Sequence, residues 1–168
     1  MQALLQQLDQ FGRRILPFLV TLGLILVSVA AAPIPEFAAI KPLFALMAVY
    51  YWSVHRPDLL QFPALFVLGL ILDVLARLPL GLSALDFILA AQLVRSQRHI
   101  FADQSYPTLW LGFAAVTLLL QALNWSAMSL FAWRLLPLWP LTLQTLLTLA
   151  LFPFFAWLMI LIQRYIVK

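Results

Sequence analysis

The sequence predicts an all-α polytopic membrane protein whose six transmembrane helices form a compact bundle. Of its 168 residues, 65% are hydrophobic and 10% are charged, and the mean hydropathy is +1.02. A soluble domain carries about 25% charged residues to cover its water-facing surface. The apolar residues also fall into long runs, each comparable to the roughly 20 residues that cross a bilayer. These observations exclude a soluble globular protein and leave no room for an extramembrane catalytic domain.

Short polar or Pro-containing breaks divide the chain into apolar segments. The six segments are 15–33, 40–54, 59–76, 79–94, 107–131 and 137–163. We therefore expect a single six-helix transmembrane domain over 15–168, preceded by a cytoplasmic N-terminal segment, 1–14. The apolar spacing within 1–14 is compatible both with a helix on the membrane surface and with a disordered tail.

The positions of Lys and Arg predict the orientation in the membrane. With the N-terminus inside, seven basic residues fall on the cytoplasmic side: Arg13, Arg14, Arg56, Arg95, Arg98, Arg164 and Lys168. Three fall on the outer side: Lys41, Arg77 and Arg134. Cytoplasmic connections carry the excess of basic residues, so we expect both termini to be cytoplasmic. Aromatic residues near predicted span ends are expected at the headgroup level, among them Tyr50, Tyr51, Trp52, Trp133 and Trp139.

Two carboxylates lie within predicted spans, where an ionisable group needs a partner or a function. Gly69, Asp73 and Arg77 are spaced by four residues, which places them on one face of the third helix. Asp73 is either a structural group, paired with Arg77 or hydrogen-bonded to a neighbouring helix, or a binding carboxylate. Asp86 has no cation near it in its own helix, because Arg95 is nine residues away at the far end, so its partner is another helix, another protein, a ligand or a proton. Five further polar residues are expected to form interhelical hydrogen bonds: Gln121, Asn124, Gln144, Thr145 and Thr148.

Catalytic chemistry is not evident in this sequence. There is no Cys, and the motifs of metalloproteases, serine hydrolases and phosphate-binding loops are missing. We expect no enzymatic activity, cofactor, metal or nucleic-acid partner. The remaining classes are a scaffold, a lipid-handling protein and a substrate-binding subunit. The last would have a cavity lined by Asp86, Gln121, Asn124 and Trp125.

Residues 55–85, HRPDLLQFPALFVLGLILDVLARLPLGLSAL, contain three short motifs in a fixed order. They are Arg56-Pro57-Asp58, Gly69-x-x-x-Asp73 and the turn Pro79-Leu80-Gly81-Leu82-Ser83-Ala84-Leu85. Together they resemble the MreD family of rod shape-determining proteins of the bacterial inner membrane. Partner-binding or structural candidates are Arg56, Pro57, Asp58, Gly69, Asp73, Arg77, Pro79, Gly81 and Asp86.

The resemblance implies a non-enzymatic scaffold of the bacterial cell-elongation machinery, which builds lateral peptidoglycan. Its implied partners are an MreC-like periplasmic coiled-coil protein, an MreB-like filament, and a peptidoglycan glycosyltransferase and transpeptidase. The family is also similar to the substrate-binding subunits of energy-coupling-factor vitamin transporters, which makes a transporter subunit the alternative. Because small residues favour close helix docking, the hairpin of residues 56–86 is expected to face a partner.

Overall fold

The computed structural model describes residues 17–29, 41–97 and 106–166. Over these ranges the chain is all-α, without strands. The helices are α1 Pro17–Val29, α2 Phe44–His55, α3 Phe62–Ala76, α4 Leu82–Ser96, α5 Tyr106–Phe131 and α6 Trp139–Ile166. Each helix corresponds to one of the six predicted apolar segments, so the all-helical prediction is confirmed. The predicted N-terminal segment 1–14 lies outside the described residues.

Within the described residues, two helices have both the length and the apolar composition of a membrane span. They are Pro107–Phe131 within α5, with 25 residues, and Trp139–Leu161 within α6, with 23. The apolar helices α1 and α3 are shorter than the roughly 20 residues of a straight span. The described ranges contain six helices, whereas their six crossings of the membrane remain a prediction.

Helix α2 lies at the centre of the bundle, where it packs against α4 and α6. Its sequence, FALMAVYYWSVH, is apolar on nearly every side, as expected of a helix surrounded by protein. Tyr50, Tyr51 and Trp52 are completely buried. They therefore contact protein and not lipid headgroups, whereas their depth in the membrane stays a prediction. Trp133 and Trp139 differ, because 91% and 70% of their surfaces are exposed, as interfacial side chains require.

An aromatic cluster joins α2 to the two long helices. The rings of Phe113 on α5 and Phe152 on α6 stack with their centroids 4.1 Å apart. Tyr50 packs edge-on against both, at 5.2 Å and 5.8 Å. Its hydroxyl donates a hydrogen bond of 3.0 Å to the carbonyl of Leu109, so a buried phenol keeps a partner.

The outward surfaces of the long helices are apolar. Large exposed hydrophobic residues include Leu111, Leu118, Leu123 and Leu130 on α5, and Leu146, Phe154, Trp157 and Ile160 on α6. An apolar surface of this extent is unfavourable in water and matches the interior of a bilayer.

Candidate functional site

Helices α3 and α4 form an antiparallel hairpin that meets most closely at Gly69. This residue is buried, and a Cβ atom placed on it would collide with the backbone of Ser83 and Ala84. Glycine is therefore required here by the approach of α4. The predicted close helix contact at Gly69 is found, but it lies within this chain.

The Asp73 carboxylate caps the first turn of α4 from the neighbouring helix. Asp73 is completely buried. Its Oδ2 accepts a hydrogen bond of 2.8 Å from the Gly81 N–H, and its Oδ1 accepts one of 2.9 Å from the Ser83 N–H. The first N–H groups of a helix have no acceptor within the helix. Of the structural alternatives for Asp73, the hydrogen bond to a neighbouring helix is therefore the one observed.

Arg77 ends α3 in the left-handed conformation, with φ of 56°. Its N–H and that of Leu78 both donate to the carbonyl of Asp73, which closes the C-terminus of α3 with a left-handed residue. Since the helix ends at Ala76, Arg77 is exposed while Gly69 and Asp73 are buried. The expected common face therefore holds for Gly69 and Asp73 and is wrong for Arg77. In the described part of the chain no salt bridge joins Arg77 to Asp73.

The turn between the two helices depends on Gly81. The Pro79 carbonyl accepts a hydrogen bond of 3.2 Å from the Leu82 N–H. Gly81 follows with φ of 98°, which is strained for other residues, and it is the N-cap of α4. It has no side chain that could cap the helix itself, so Asp73 takes over this role.

The Arg56-Pro57-Asp58 turn lies at the opposite end of the hairpin. Arg56 and Asp58 are exposed and Pro57 is buried. Arg95, at the end of α4, donates from Nη2 to the carbonyls of Pro57 and Leu60 at 3.1 Å and 2.6 Å. Its guanidinium also lies 4.5 Å from the centroid of the Phe62 ring.

In the sequence, Arg95 indicated only the topology, and these contacts of its side chain were not predicted. The antiparallel pairing of the third and fourth segments could have predicted these contacts, because it brings Arg95 at the end of α4 beside the turn before α3.

Asp86 finds its partner on another helix. Asn124 of α5 donates from Nδ2 to Asp86 Oδ2 at 2.6 Å. The other four polar residues predicted to form interhelical hydrogen bonds also have partners outside their own helix, although Thr148 bonds to the segment before α2 and not to a helix. Gln121 donates to Gln144 Oε1 at 3.2 Å and to Thr145 Oγ1 at 3.3 Å. Gln144 donates to the Lys41 carbonyl at 2.8 Å, and Thr148 Oγ1 accepts from the Leu43 N–H at 3.2 Å.

A cavity of about 430 Å³ opens beside Asp86. We call it the Asp86 cavity. It is lined by the ends of α1, α3 and α5 and the beginnings of α2, α4 and α6, which meet at one end of an alternating bundle. Asp86, Gln121, Asn124 and Trp125 all line it. Its volume is in the range of about 300–1,000 Å³ that is typical of small-molecule sites.

The candidate residues lie in three separate places in the structure. Gly69, Asp73, Arg77, Pro79 and Gly81 lie together at the hairpin contact and its turn. The Arg56-Pro57-Asp58 turn lies at the other end, and Asp86 belongs to the cavity. No cluster of three His, Asp or Glu side chains suited to a metal occurs within residues 17–29, 41–97 and 106–166.

Comparison with known proteins identifies one family. The family model described as rod shape-determining protein MreD matches residues 12–162. No curated protein and no solved structure matches this chain. The expected likeness to transporter subunits therefore stays a prediction. MreD proteins are bacterial membrane proteins of the shape-determination complex and are not known as enzymes. Since the match covers most of the chain, this protein belongs to the MreD family of rod shape-determining proteins.

Proposed function

We propose that this protein is a non-enzymatic scaffold of the cell-elongation machinery in the bacterial inner membrane. The family match over residues 12–162 carries this proposal. The scaffold holds an MreC-like periplasmic coiled-coil protein in one complex with an MreB-like filament and the polymerases of lateral peptidoglycan. With short connections between the described helices, it binds these partners mainly through helix surfaces in the membrane.

The surface proposed for partner binding is the outer face of α3. We define this α3 outer face by Phe66, Val67, Val74 and Leu75, which are 41–65% exposed. Counted from Phe66, the other three lie one, eight and nine residues further along, which places all four within one half of the helix circumference. Helix α3 packs mainly against α4, so this side has no helix of the described bundle over it. An apolar helix face of this kind is available to a partner's transmembrane helix.

The hairpin contacts explain why the α3 outer face has a defined geometry. Gly69 sets the distance between α3 and α4, and Asp73 fixes the start of α4. Both are buried within this chain, so their contribution to partner binding is indirect. We therefore assign the docking itself to the exposed residues of α3. We expect Gly69→Leu to disrupt assembly because it damages the hairpin, and not because Gly69 itself contacts a partner.

The proposed orientation has both termini in the cytoplasm. It is supported by the distribution of basic residues and by the alternating helix order. The connections near Lys41, Arg77 and Arg134 fall at one end of the bundle, as does the Asp86 cavity. This end is the periplasmic end in our proposal. The Arg56-Pro57-Asp58 turn and Arg95 are then cytoplasmic.

Affinity purification tests the scaffold proposal. The tagged protein is expressed at its natural level and purified from native membranes, and co-purifying proteins are identified by mass spectrometry. A single-span periplasmic coiled-coil protein recovered with cell-wall polymerases would support the scaffold. Recovery of paired ATPases with a transmembrane coupling subunit would instead overturn it in favour of a transporter subunit.

A further inference from the structure

We propose that the Asp86 cavity binds a primary ammonium group attached to an apolar body. The ammonium lies against Asp86 and the amide oxygens beside it, and the apolar body fills the rest of the cavity. This site is separate from the α3 outer face. It does not depend on the scaffold proposal, and its assignment implies no transport.

The polar atoms of the Asp86 cavity are mainly acceptors. Asp86 Oδ2 receives the Asn124 side-chain N–H, and no hydrogen bond to Asp86 Oδ1 is found within the described residues. Asn124 and Gln121 use their amide nitrogens on Asp86, Gln144 and Thr145, which leaves their amide oxygens as acceptors. A ligand that complements these oxygens must supply N–H or O–H donors.

The charge at this site favours a cation over a neutral donor. Lys41 is the one basic side chain that lines the cavity within residues 17–29, 41–97 and 106–166. No salt bridge joins it to Asp86 in this part of the structure. Burying a carboxylate without a cation is costly, and an ammonium both compensates the charge and donates three hydrogen bonds. The same carboxylate opposes a phosphate or carboxylate group in direct contact with it, so the ammonium must be the part of the ligand that faces Asp86.

The walls of the cavity define the rest of the ligand. Leu72, Phe87, Leu120, Trp125 and Met128 present apolar surface. Trp125 is held in place because its indole N–H donates to the Leu136 carbonyl at 3.0 Å. A fixed indole ring is a favourable neighbour for an ammonium ion and for an apolar chain. The volume of about 430 Å³ limits the bound part to the size of a small molecule.

An ammonium of this kind has two possible sources. One is the headgroup of an aminolipid such as phosphatidylethanolamine. The other is a free amphipathic amine. Both present the same chemistry to Asp86, so the experiment must first establish recognition of the ammonium and then identify its source.

The first arm compares 2-phenylethylamine with 2-phenylethanol, a neutral molecule of similar shape. Binding to the full-length protein in detergent is measured by calorimetry. We expect the amine to bind about tenfold more tightly, because a charge-assisted hydrogen bond is considerably stronger than a neutral one. Asp86→Asn should remove this preference while keeping the size of the side chain. Asp58→Asn is the matched control, since Asp58 is exposed at the opposite end of the hairpin.

A second variant keeps Asp86 and fills the cavity. Met128→Trp adds bulk to the lining and should abolish binding of the amine even if Asp86→Asn proves unstable. Equal binding of amine and alcohol would overturn the proposal. So would a preference for the amine that survives in Asp86→Asn, binding that survives in Met128→Trp, or a lack of binding at millimolar amine.

The second arm identifies the source. The protein is reconstituted in phosphatidylglycerol with and without phosphatidylethanolamine, and retained lipids are counted by native mass spectrometry. Retention of phosphatidylethanolamine by the wild type and Asp58→Asn, but not by Asp86→Asn, supports the lipid source. Amine binding without such retention supports the free amine.

Discussion

The carboxylate of Asp73 on α3 accepts a hydrogen bond from Gly81, the N-cap of α4, with 2.8 Å between Asp73 Oδ2 and the Gly81 nitrogen. Gly81 has the positive φ that the turn requires, but it cannot cap α4 with a side chain. Asp73 supplies the missing acceptor and places a negative charge at the positive end of the α4 dipole. The two residues together fix the position of α4 relative to α3 in the hairpin.

Substitutions of Asp73 should follow the number of hydrogen bonds that they remove. Asn keeps one acceptor oxygen, so Asp73→Asn should lower the free energy of unfolding by about 1–2 kcal/mol. Leu keeps none and leaves the half-buried N–H of Gly81 and the buried N–H of Ser83 unpaired, for which we expect a loss of about 3 kcal/mol or more. Unfolding in mixed micelles titrated with SDS measures both values. Equal losses would contradict a hydrogen-bonding role and would indicate that the negative charge is what matters.

Gly69 should not tolerate even a methyl group. The Cβ of Gly69→Ala collides with the backbone of Ser83 and Ala84, so the two helices must separate. Overpacking of this kind costs about 1–3 kcal/mol. Gly23→Ala in α1 is the matched control, because nothing lies within 4 Å of its Cβ. It should be neutral or stabilising by up to about 1 kcal/mol, since Ala favours a helix more than Gly. Comparable losses in the two variants would contradict the close contact.

The α3 outer face should be sensitive to bulk without any loss of folding. Val74 is 65% exposed, so Val74→Trp leaves the hairpin contact intact. If a partner helix docks there, recovery of the complex should fall about tenfold, which corresponds to about 1.4 kcal/mol. Leu118→Trp on α5, at a position 56% exposed, is the control for a merely lipid-facing change. Co-purification from native membranes measures both. Undiminished recovery with Val74→Trp would move the docking surface elsewhere.

The orientation can be tested directly because the chain contains no Cys. Leu135→Cys lies between α5 and α6 at a position 82% exposed, and Asp58→Cys lies in the exposed turn after α2. Neither substitution removes a basic residue, so the charge pattern that sets the orientation is kept. A membrane-impermeant maleimide should label Leu135→Cys in spheroplasts and label Asp58→Cys only after permeabilisation. The reverse pattern would invert the proposed topology.

Local features of the sequence predicted most of the secondary structure. Apolar runs marked the six helices because burying a helix in lipid or protein requires apolar side chains over several turns. Polar residues within these runs predicted the hydrogen bonds of Asn124, Gln121 and Gln144, because an unpaired polar group is costly away from water. Gly69 was predicted to allow the close approach of another helix because it has no side chain, and a hydrogen bond to a neighbouring helix was one of the alternatives for Asp73.

The sequence by itself determined that the chain is helical and suited to a membrane, and it identified the polar groups that need partners. Only the tertiary structure decided which partners they have: Ala84 for Gly69, two amides of α4 for Asp73, and the turn carbonyls for Arg95. It also decided that Tyr50 and its neighbours lie in the core. The physical reason is that lipid and protein interior are both apolar, so a side chain that faces either one has the same sequence pattern.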